Sequence, residues 1–289
     1  HYGDYDAIKR AFRTFIQNIP FYGFAVLCID HPAVQGVMSE IQDRRIITYG
    51  LSRQADLRGQ FLRSDHEKQI FSVTLSAELA ARLDLPGELG EFTLPMLGDH
   101  NLSNALSAIA CGLEVSVGVS DIVAALSSFT GVSRRFTKTG TVNGITIIDD
   151  YGHHPVEIAA VLSAARSGLN DTEGRVIAVV QPHRYSRIQS LFQDFCTCFN
   201  DADQVIVADV YAAGEVPIEG ATKDDLVAGL RAAGLDDVIA MQSEQDLPGL
   251  IADTAMPGDM VIFLGAGNIT KWAHDLPAAL EKLLQERAA

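Results

Sequence analysis

Two short segments concentrate the groups able to do chemistry. Asp149-Asp150-Tyr151-Gly152-His153-His154-Pro155 closes an apolar run and precedes a helical pattern. Gln181-Pro182-His183-Arg184-Tyr185-Ser186-Arg187 holds the same place after the next apolar run and is rich in cations. Open α/β folds bind ligands outside the carboxyl ends of their strands, so the two clusters point to one crevice.

Carboxylates beside imidazoles can move protons or hold a metal. Successive strand residues face opposite ways, so one of Asp149 and Asp150 is expected in the crevice. Pro155 suits a first helical turn, where a missing N–H costs little. Two alternatives stay open on the residues alone: helix capping, and a metal-dependent hydrolase using Asp149, Asp150, His153 and His154. No HxH or HExxH spacing supports the metal.

Arg184 and Arg187 are three apart and share a face if their segment is helical. Paired guanidiniums suit bidentate recognition of a carboxylate or phosphate. Helix N-termini disfavour cations, so an anion would explain their placement, against the plainer alternative of a solvated basic helix start. Asn101 and Asn104 open a helical pattern after Gly98-Asp99-His100. Asn101 suits an N-cap, and Asn104, one turn on, offers an amide that could read a base edge. Arg134-Arg135 falls where a guanidinium could reach a nucleotide held between domains. Gly265-Ala266-Gly267 lacks the third glycine and the acidic partner of a dinucleotide fingerprint and reads as a tight turn. The sequence contains no GxxxxGK[ST] phosphate loop.

The elements that must position these groups follow from hydrophobic periodicity. The first half predicts helices over 4–15, 31–41, 101–113 and 120–129. Strands are predicted over 23–30, 45–49 and 92–94, with antiparallel strands within 61–75. From 145 onward, strands at 145–149, 175–180, 204–209, 237–241 and 259–264 alternate with helices. That pattern means βαβ units and a mostly parallel, doubly wound sheet. The domain boundary is expected between Gly131 and Phe136, giving domains over 1–133 and 134–289.

With 289 residues, 47% of them hydrophobic, the chain can bury two cores. A net charge of -15 argues against a nucleic-acid or anionic-membrane partner. No apolar run reaches the roughly 18 residues of a membrane span, and the chain reads as cytoplasmic. Cys28, Cys111, Cys196 and Cys198 lack CxxC spacing and are expected to be reduced. The first helical pattern begins almost at once, as in a piece of something longer.

Six segments together resemble the Mur ligases of cell-wall synthesis. They are Pro20-Phe21-Tyr22-Gly23 with Cys28, Gly98 to Ala105, Gly131 to Phe136, Asp149 to Pro155, Gln181 to Arg187, and Tyr211-Ala212-Ala213-Gly214-Glu215. The resemblance runs over essentially the whole chain, and the DDYGHHP and QPHRYSR segments are specific to the L-alanine-adding branch. It implies the later part of a mixed-sheet, ATP-binding central domain followed by a Rossmann-like, doubly wound C-terminal domain. It also implies that the phosphate loop, a metal-binding glutamate and a UDP-binding domain lie upstream, so this chain alone is expected to be inactive. His1 falls at the edge of a family segment carrying a metal-ligand histidine and is not itself assigned as a ligand; no metal ligand is assigned.

By that resemblance, Asn101, Asn104 and Arg135 would contact ATP, with Asp150 near the nucleotide. His153, Arg184 and Arg187 would hold the amino acid and the muramoyl carboxyl region, with Tyr151 and His183 lining the same pocket. The implied chemistry joins UDP-N-acetylmuramate to L-alanine through an acyl phosphate, using ATP and Mg2+. Another Mur-type ligase would fit the shared positions, and a nucleotide-binding module without catalysis would fit the missing phosphate loop.

Overall fold

The computed structural model describes residues 4–65, 68–169 and 173–288. The chain divides into two compact units, one up to Thr130 and one from Gly131.

The first unit is built on a five-stranded sheet of β1 (Phe24–Cys28), β2 (Arg45–Gly50), β3 (Leu57–Asp65), β4 (Lys68–Leu75) and β5 (Glu88–Leu94), in that order. The strands β1 to β3 run parallel, and β3 to β5 antiparallel. Helices α1 (Tyr5–Gln17), α2 (Pro32–Ser39), α3 (Ala77–Leu83), α4 (Asp99–Glu114) and α5 (Val119–Ser127) complete it. Leu102, Leu106 and Ile109 of α4 pack with Leu57, Phe71, Val73 and Phe92 of the sheet. A Cβ on Gly59 would come within 2.7 Å of Leu102, so glycine in β3 lets the helix approach this closely. Helix α3 was not expected; Ser76 caps it and Asp84 ends it with φ 54°. Helix α4 starts earlier than predicted, with Gly98 as its N-cap, so Asn101 lies inside the first turn.

The second unit holds a six-stranded sheet with strands β6 (Thr137–Val142), β7 (Ile145–Asp150), β8 (Val176–Val180), β9 (Gln204–Val207), β10 (Val238–Ala240) and β11 (Met260–Leu264). Their order is β10-β9-β8-β11-β7-β6, parallel except for β6. Strand β6 was not expected, because TKTGTV offers no apolar alternation. The Asn143-Gly144 turn, with φ 49° and 77°, pairs it with β7 and was the available signal.

Helices α6 (Pro155–Gly168), α7 (Tyr185–Ser190), α8 (Phe192–Thr197) and α9 (Lys223–Ala232) join the forward crossovers. Helix α10 (Leu247–Thr254) leads back to β11, and α11 (Ile269–Ala288) follows. One face of the sheet packs on α6, α8 and α9 through Ile158, Leu162, Phe195 and Leu226. The other packs on α10 and α11 through Ile251, Ala273, Leu276 and Leu280. Both faces being covered, β8, β9 and β11 read as continuous apolar runs, the signature of a buried parallel sheet.

Candidate functional site

The carboxyl edge of the second unit's sheet brings together the loops after β7, β8, β9 and β11. Asp149 and Asp150 do face opposite sides of β7, but both are buried, at 0% and 2% exposure. Neither is exposed to the crevice, which corrects the expectation that one would enter it, and Asp149 Oδ1 is buried without a hydrogen-bond partner. Asp149 accepts the Thr270 hydroxyl of α11 and lies 3.8 Å from His274 Nε2. Asp150 accepts from the amides of Phe136 (2.8 Å) and Gly152 (2.6 Å), binding the domain's entry loop to the turn after β7. Burial raises the pKa of Asp150 despite those donors and nearby Arg135. Gly152 is required there, since a Cβ would meet Asp150 Oδ1 at 2.9 Å.

The turn then presents Tyr151. Its amide donates to Arg134 O at 2.8 Å, and the Arg134 and Arg135 guanidiniums lie 4.7 and 5.6 Å from its ring centroid. Arg134 also donates to Gly265 O at 2.7 Å, so it ties the entry loop to the turn after β11. Arg134, Phe136 and Arg184 all adopt positive φ, at 60°, 49° and 73°. Such backbone strain persists only where surroundings enforce it, and it gathers at functional sites.

The two candidate histidines are held in complementary states. His153 Nδ1 sits 2.9 Å from Tyr151 O, so it carries the proton and leaves Nε2 as an acceptor when the ring is neutral. His183 Nδ1 lies 3.3 Å from Arg187 Nη1 and accepts from it, which places its proton on Nε2. Burial lowers the pKa of His183, aided by Arg187, His153 and Arg184. The rings form a line: Tyr151 to His153 at 5.1 Å, His153 to His183 at 5.8 Å, and His183 to Tyr211 at 5.4 Å.

His154 belongs elsewhere. It caps α6, accepting from Val156 N, while Glu157 accepts from the amides of His153 and His154 in a capping box. With Asp149 turned to α11 and His154 to α6, the four residues of the hydrolase alternative do not converge. Among the described residues no three His, Cys, Asp or Glu side chains group as a metal site. His1 lies outside the described residues.

Arg184 and Arg187 are near each other for a different reason from the one predicted. Arg184 is the non-helical residue before α7, so a shared helical face does not apply. Its guanidinium is half exposed and 3.7 Å from Glu215, whereas Arg187 donates to His183 O at 3.1 Å. Glu215 also accepts from Ser186 N and Oγ, and these bonds hold its carboxyl below the usual carboxylate range. The loops after β8 and β9 are joined through backbone as well: Tyr211 N to Pro182 O at 2.8 Å, and Arg184 N to Tyr211 O at 2.9 Å. Residue-by-residue reasoning gave Tyr211 and Glu215 no role; their signal was the polar pause after β9, parallel to those after β7 and β8.

Beside this line of rings lies a cavity of about 300 Å3, lined by Gln181, Tyr211, Met241, Ser243, Glu244 and Trp272 among others. Gln181 closes the crevice between β8 and β11, donating to Asn268 Oδ1 at 2.8 Å and accepting from Ile269 N.

In the first unit, Asn101 is buried and donates to Leu97 O at 2.8 Å, so it fastens the start of α4 from inside and does not N-cap it. Asn104 is exposed one turn on. No helix among the described residues is long and apolar enough to cross a membrane.

The sequence matches known domain families. Residues 134–267 match the Mur ligase glutamate ligase domain, and residues 1–112 the Mur ligase middle domain. The chain belongs to the Mur ligase family. Relatives named UDP-N-acetylmuramate–L-alanine ligase include one from a Bradyrhizobium strain, 55% identical over 98% of this chain and 59% of the relative. Another, from Acidiphilium cryptum, is 56% identical over 99% of this chain and 58% of the relative. The chain thus spans a little under three fifths of the length of these relatives. The UDP-N-acetylmuramate-alanine ligase structure from Thermotoga maritima shares the fold at TM-score 0.74 with 20% identity, covering 98% of this chain and 56% of that one. The MurF ligase of the same organism, solved with ADP, matches at TM-score 0.69 with 16% identity over 99% of this chain and 59% of that one.

Proposed function

We propose that this chain is the latter part of a UDP-N-acetylmuramate–L-alanine ligase, an ATP-dependent, amide-forming enzyme of cytoplasmic peptidoglycan precursor synthesis. Residues 1–133 would contribute to the ATP-binding domain and 134–289 would form the ligase domain. The observation that carries the reading is the cluster of Tyr151, His153, His183, Arg184 and Arg187 on one sheet edge. Relatives at 55–56% identity bearing that name support the same substrates.

In this reading, ATP phosphorylates the muramoyl carboxylate. The alanine amine then attacks the acyl carbon, forming the C–N bond as the C–O bond to phosphate breaks and a proton leaves nitrogen. Arg184 and Arg187 hold carboxylates, Arg187 with its direction set by His183. His183, kept neutral, offers an Nε2–H donor. His153 Nε2 is the acceptor able to take the proton that the alanine ammonium must lose. Fixing amine and carbonyl in reacting geometry supplies several kcal/mol of the barrier reduction. Tyr151 closes the pocket beneath the two arginines of the entry loop. Asn101, Asn104 and Arg135 serve the nucleotide, with Asp150 acting nearby through the turn it holds. Magnesium, expected with ATP, finds no fitting ligand set among the described residues, because Asp150 is engaged by amides and Asp149 faces α11. No step is assigned to it.

The test is alanine-dependent phosphate release from ATP and UDP-N-acetylmuramate by the full-length enzyme containing this chain. Release that needs all three substrates is expected; release indifferent to alanine would reject the reading.

A further inference from the structure

Tyr211 stands at the end of the ring line and at the edge of the large cavity. One face of its ring stacks on His183, the planes 11° from parallel. A Cβ on Gly267 would lie 2.7 Å from Tyr211 Cδ2, so the turn after β11 packs directly against the ring. The ring lines the cavity of about 300 Å3 beside Trp272, whereas His183 does not. Its backbone is fixed independently of the ring, by the two bonds to Pro182 and Arg184.

We propose that the Tyr211 ring is a partition between the amino-acid pocket at His183 and the cavity beside Trp272, and that it confines the ligase to an amino acid with a small side chain. The inference rests on assigning His153, His183, Arg184 and Arg187 to the amino-acid site. A side chain longer than a methyl group, entering at His183, meets two stacked rings. Arg187 holds His183 from one side, and the turn at Gly267 backs Tyr211. Without the Tyr211 ring the pocket would open into the cavity. A water takes about 30 Å3 of liquid volume, so the space accommodates a propyl group readily. Met241 and Trp272 offer it apolar contact, while Asp209 and Glu244 on the lining disfavour an acidic side chain. The class admitted would be neutral, unbranched L-amino acids, with L-norvaline the probe.

Trp272 is the only tryptophan of the chain, so its emission reports what enters the cavity. In this chain, L-norvaline is expected to change Trp272 fluorescence in Tyr211→Ala and Tyr211→Leu but not in the wild type or Tyr211→Phe, and L-alanine in none. In the full-length ligase, the ratio of kcat/KM for L-norvaline to that for L-alanine should rise at least about tenfold in Tyr211→Ala, the scale on which packing discriminates methylenes. Tyr211→Phe should leave that ratio within about twofold, since the ring remains. Circular dichroism identifies which variants fold, and Tyr211→Leu carries the test if Tyr211→Ala does not. Unmoved fluorescence and an unmoved ratio in a folded variant overturn the partition, as does a Tyr211→Phe variant that broadens selection equally. Absence of alanine-dependent turnover in the wild-type full-length enzyme would instead reject the amino-acid site, and the fluorescence arm would still judge the partition.

Discussion

The loops after β7 and β8 flank β11 on one sheet edge and are fastened in opposite ways. After β7, the buried Asp150 gathers the amides of Phe136 and Gly152, and Glu157 gathers those of His153 and His154. That turn is held mainly by carboxylates accepting from backbone, so its acidic residues serve the fold and leave the imidazole of His153 to serve the ligand. After β8 the charged groups are guanidiniums, and their partners are a ring nitrogen, a carbonyl and, at a longer 3.7 Å, Glu215. A cation so lightly paired can exchange its partner for a substrate carboxylate. The same density of charge in sequence therefore has two meanings: one cluster shapes the pocket, and the other reads the ligand.

Substitution should separate them. Arg187→Ala in the full-length enzyme is expected to lower kcat/KM for alanine by roughly a hundredfold or more, the scale of losing a charged hydrogen-bonding partner of a substrate. Its melting temperature should stay close to wild type, because Arg187 supports no backbone amide. Asp150→Ala should do the reverse. It leaves two largely buried amide donors without partners, at about 1–3 kcal/mol each, partly offset by relief of the buried carboxyl's desolvation. A net loss of about 2 kcal/mol would lower the melting temperature by roughly 4–8 °C. A stable Asp150→Ala or an unfolded Arg187→Ala in a thermal melt would break the distinction.

How much of this was legible in the sequence depends on how local each cause is. The strands β8, β9 and β11 declare themselves as unbroken apolar runs, and the alternation of Asp149 and Asp150 follows from strand geometry alone. Their burial does not, since the amides that engage Asp150 come from Phe136 on another strand's approach as well as from the next turn. The spacing of Arg184 and Arg187 suggested a common helix face, but Arg184 takes positive φ because its amide is drawn to Tyr211 O, a contact between distant segments. Asn101 misled in the same manner: the cap position passed to Gly98, whose φ of 97° starts the helix early. His154 was read with His153 as chemistry, yet a single step along the chain moves it from pocket to helix cap.

The smaller effects sharpen the contrast further. Glu215→Gln keeps the shape of its side chain but removes the charge facing Arg184. If Arg184 is released to bind carboxylate when Glu215 yields, KM for alanine should fall by about twofold to threefold, in keeping with an exposed and screened pair. A rise in KM with unchanged kcat would mean instead that Glu215 holds Arg184 in its binding position.

The last test concerns His183, whose pKa is lowered mainly by burial and then by the cations around it. A depressed folded pKa means that the unfolded chain binds the proton more readily. The stability His183 contributes is therefore complete above its unfolded value of about 6.5 and declines as pH falls through that value toward the folded one. Thermal melts of the wild type should lose ground between pH 7.5 and 5.5 relative to His183→Gln, which has no proton to gain. Asp150 has the opposite sign: its raised pKa makes its contribution greatest when the carboxyl is protonated, below about pH 3.9, and diminishing as pH rises through the folded value. The pH range near neutrality thus isolates the loop after β8, while acid reports on the loop after β7. Parallel pH profiles for the wild type and His183→Gln between 5.5 and 7.5 would show that neither burial nor the cations beside it lowers the His183 pKa, and that the neutral donor it offers the substrate is not enforced by its surroundings.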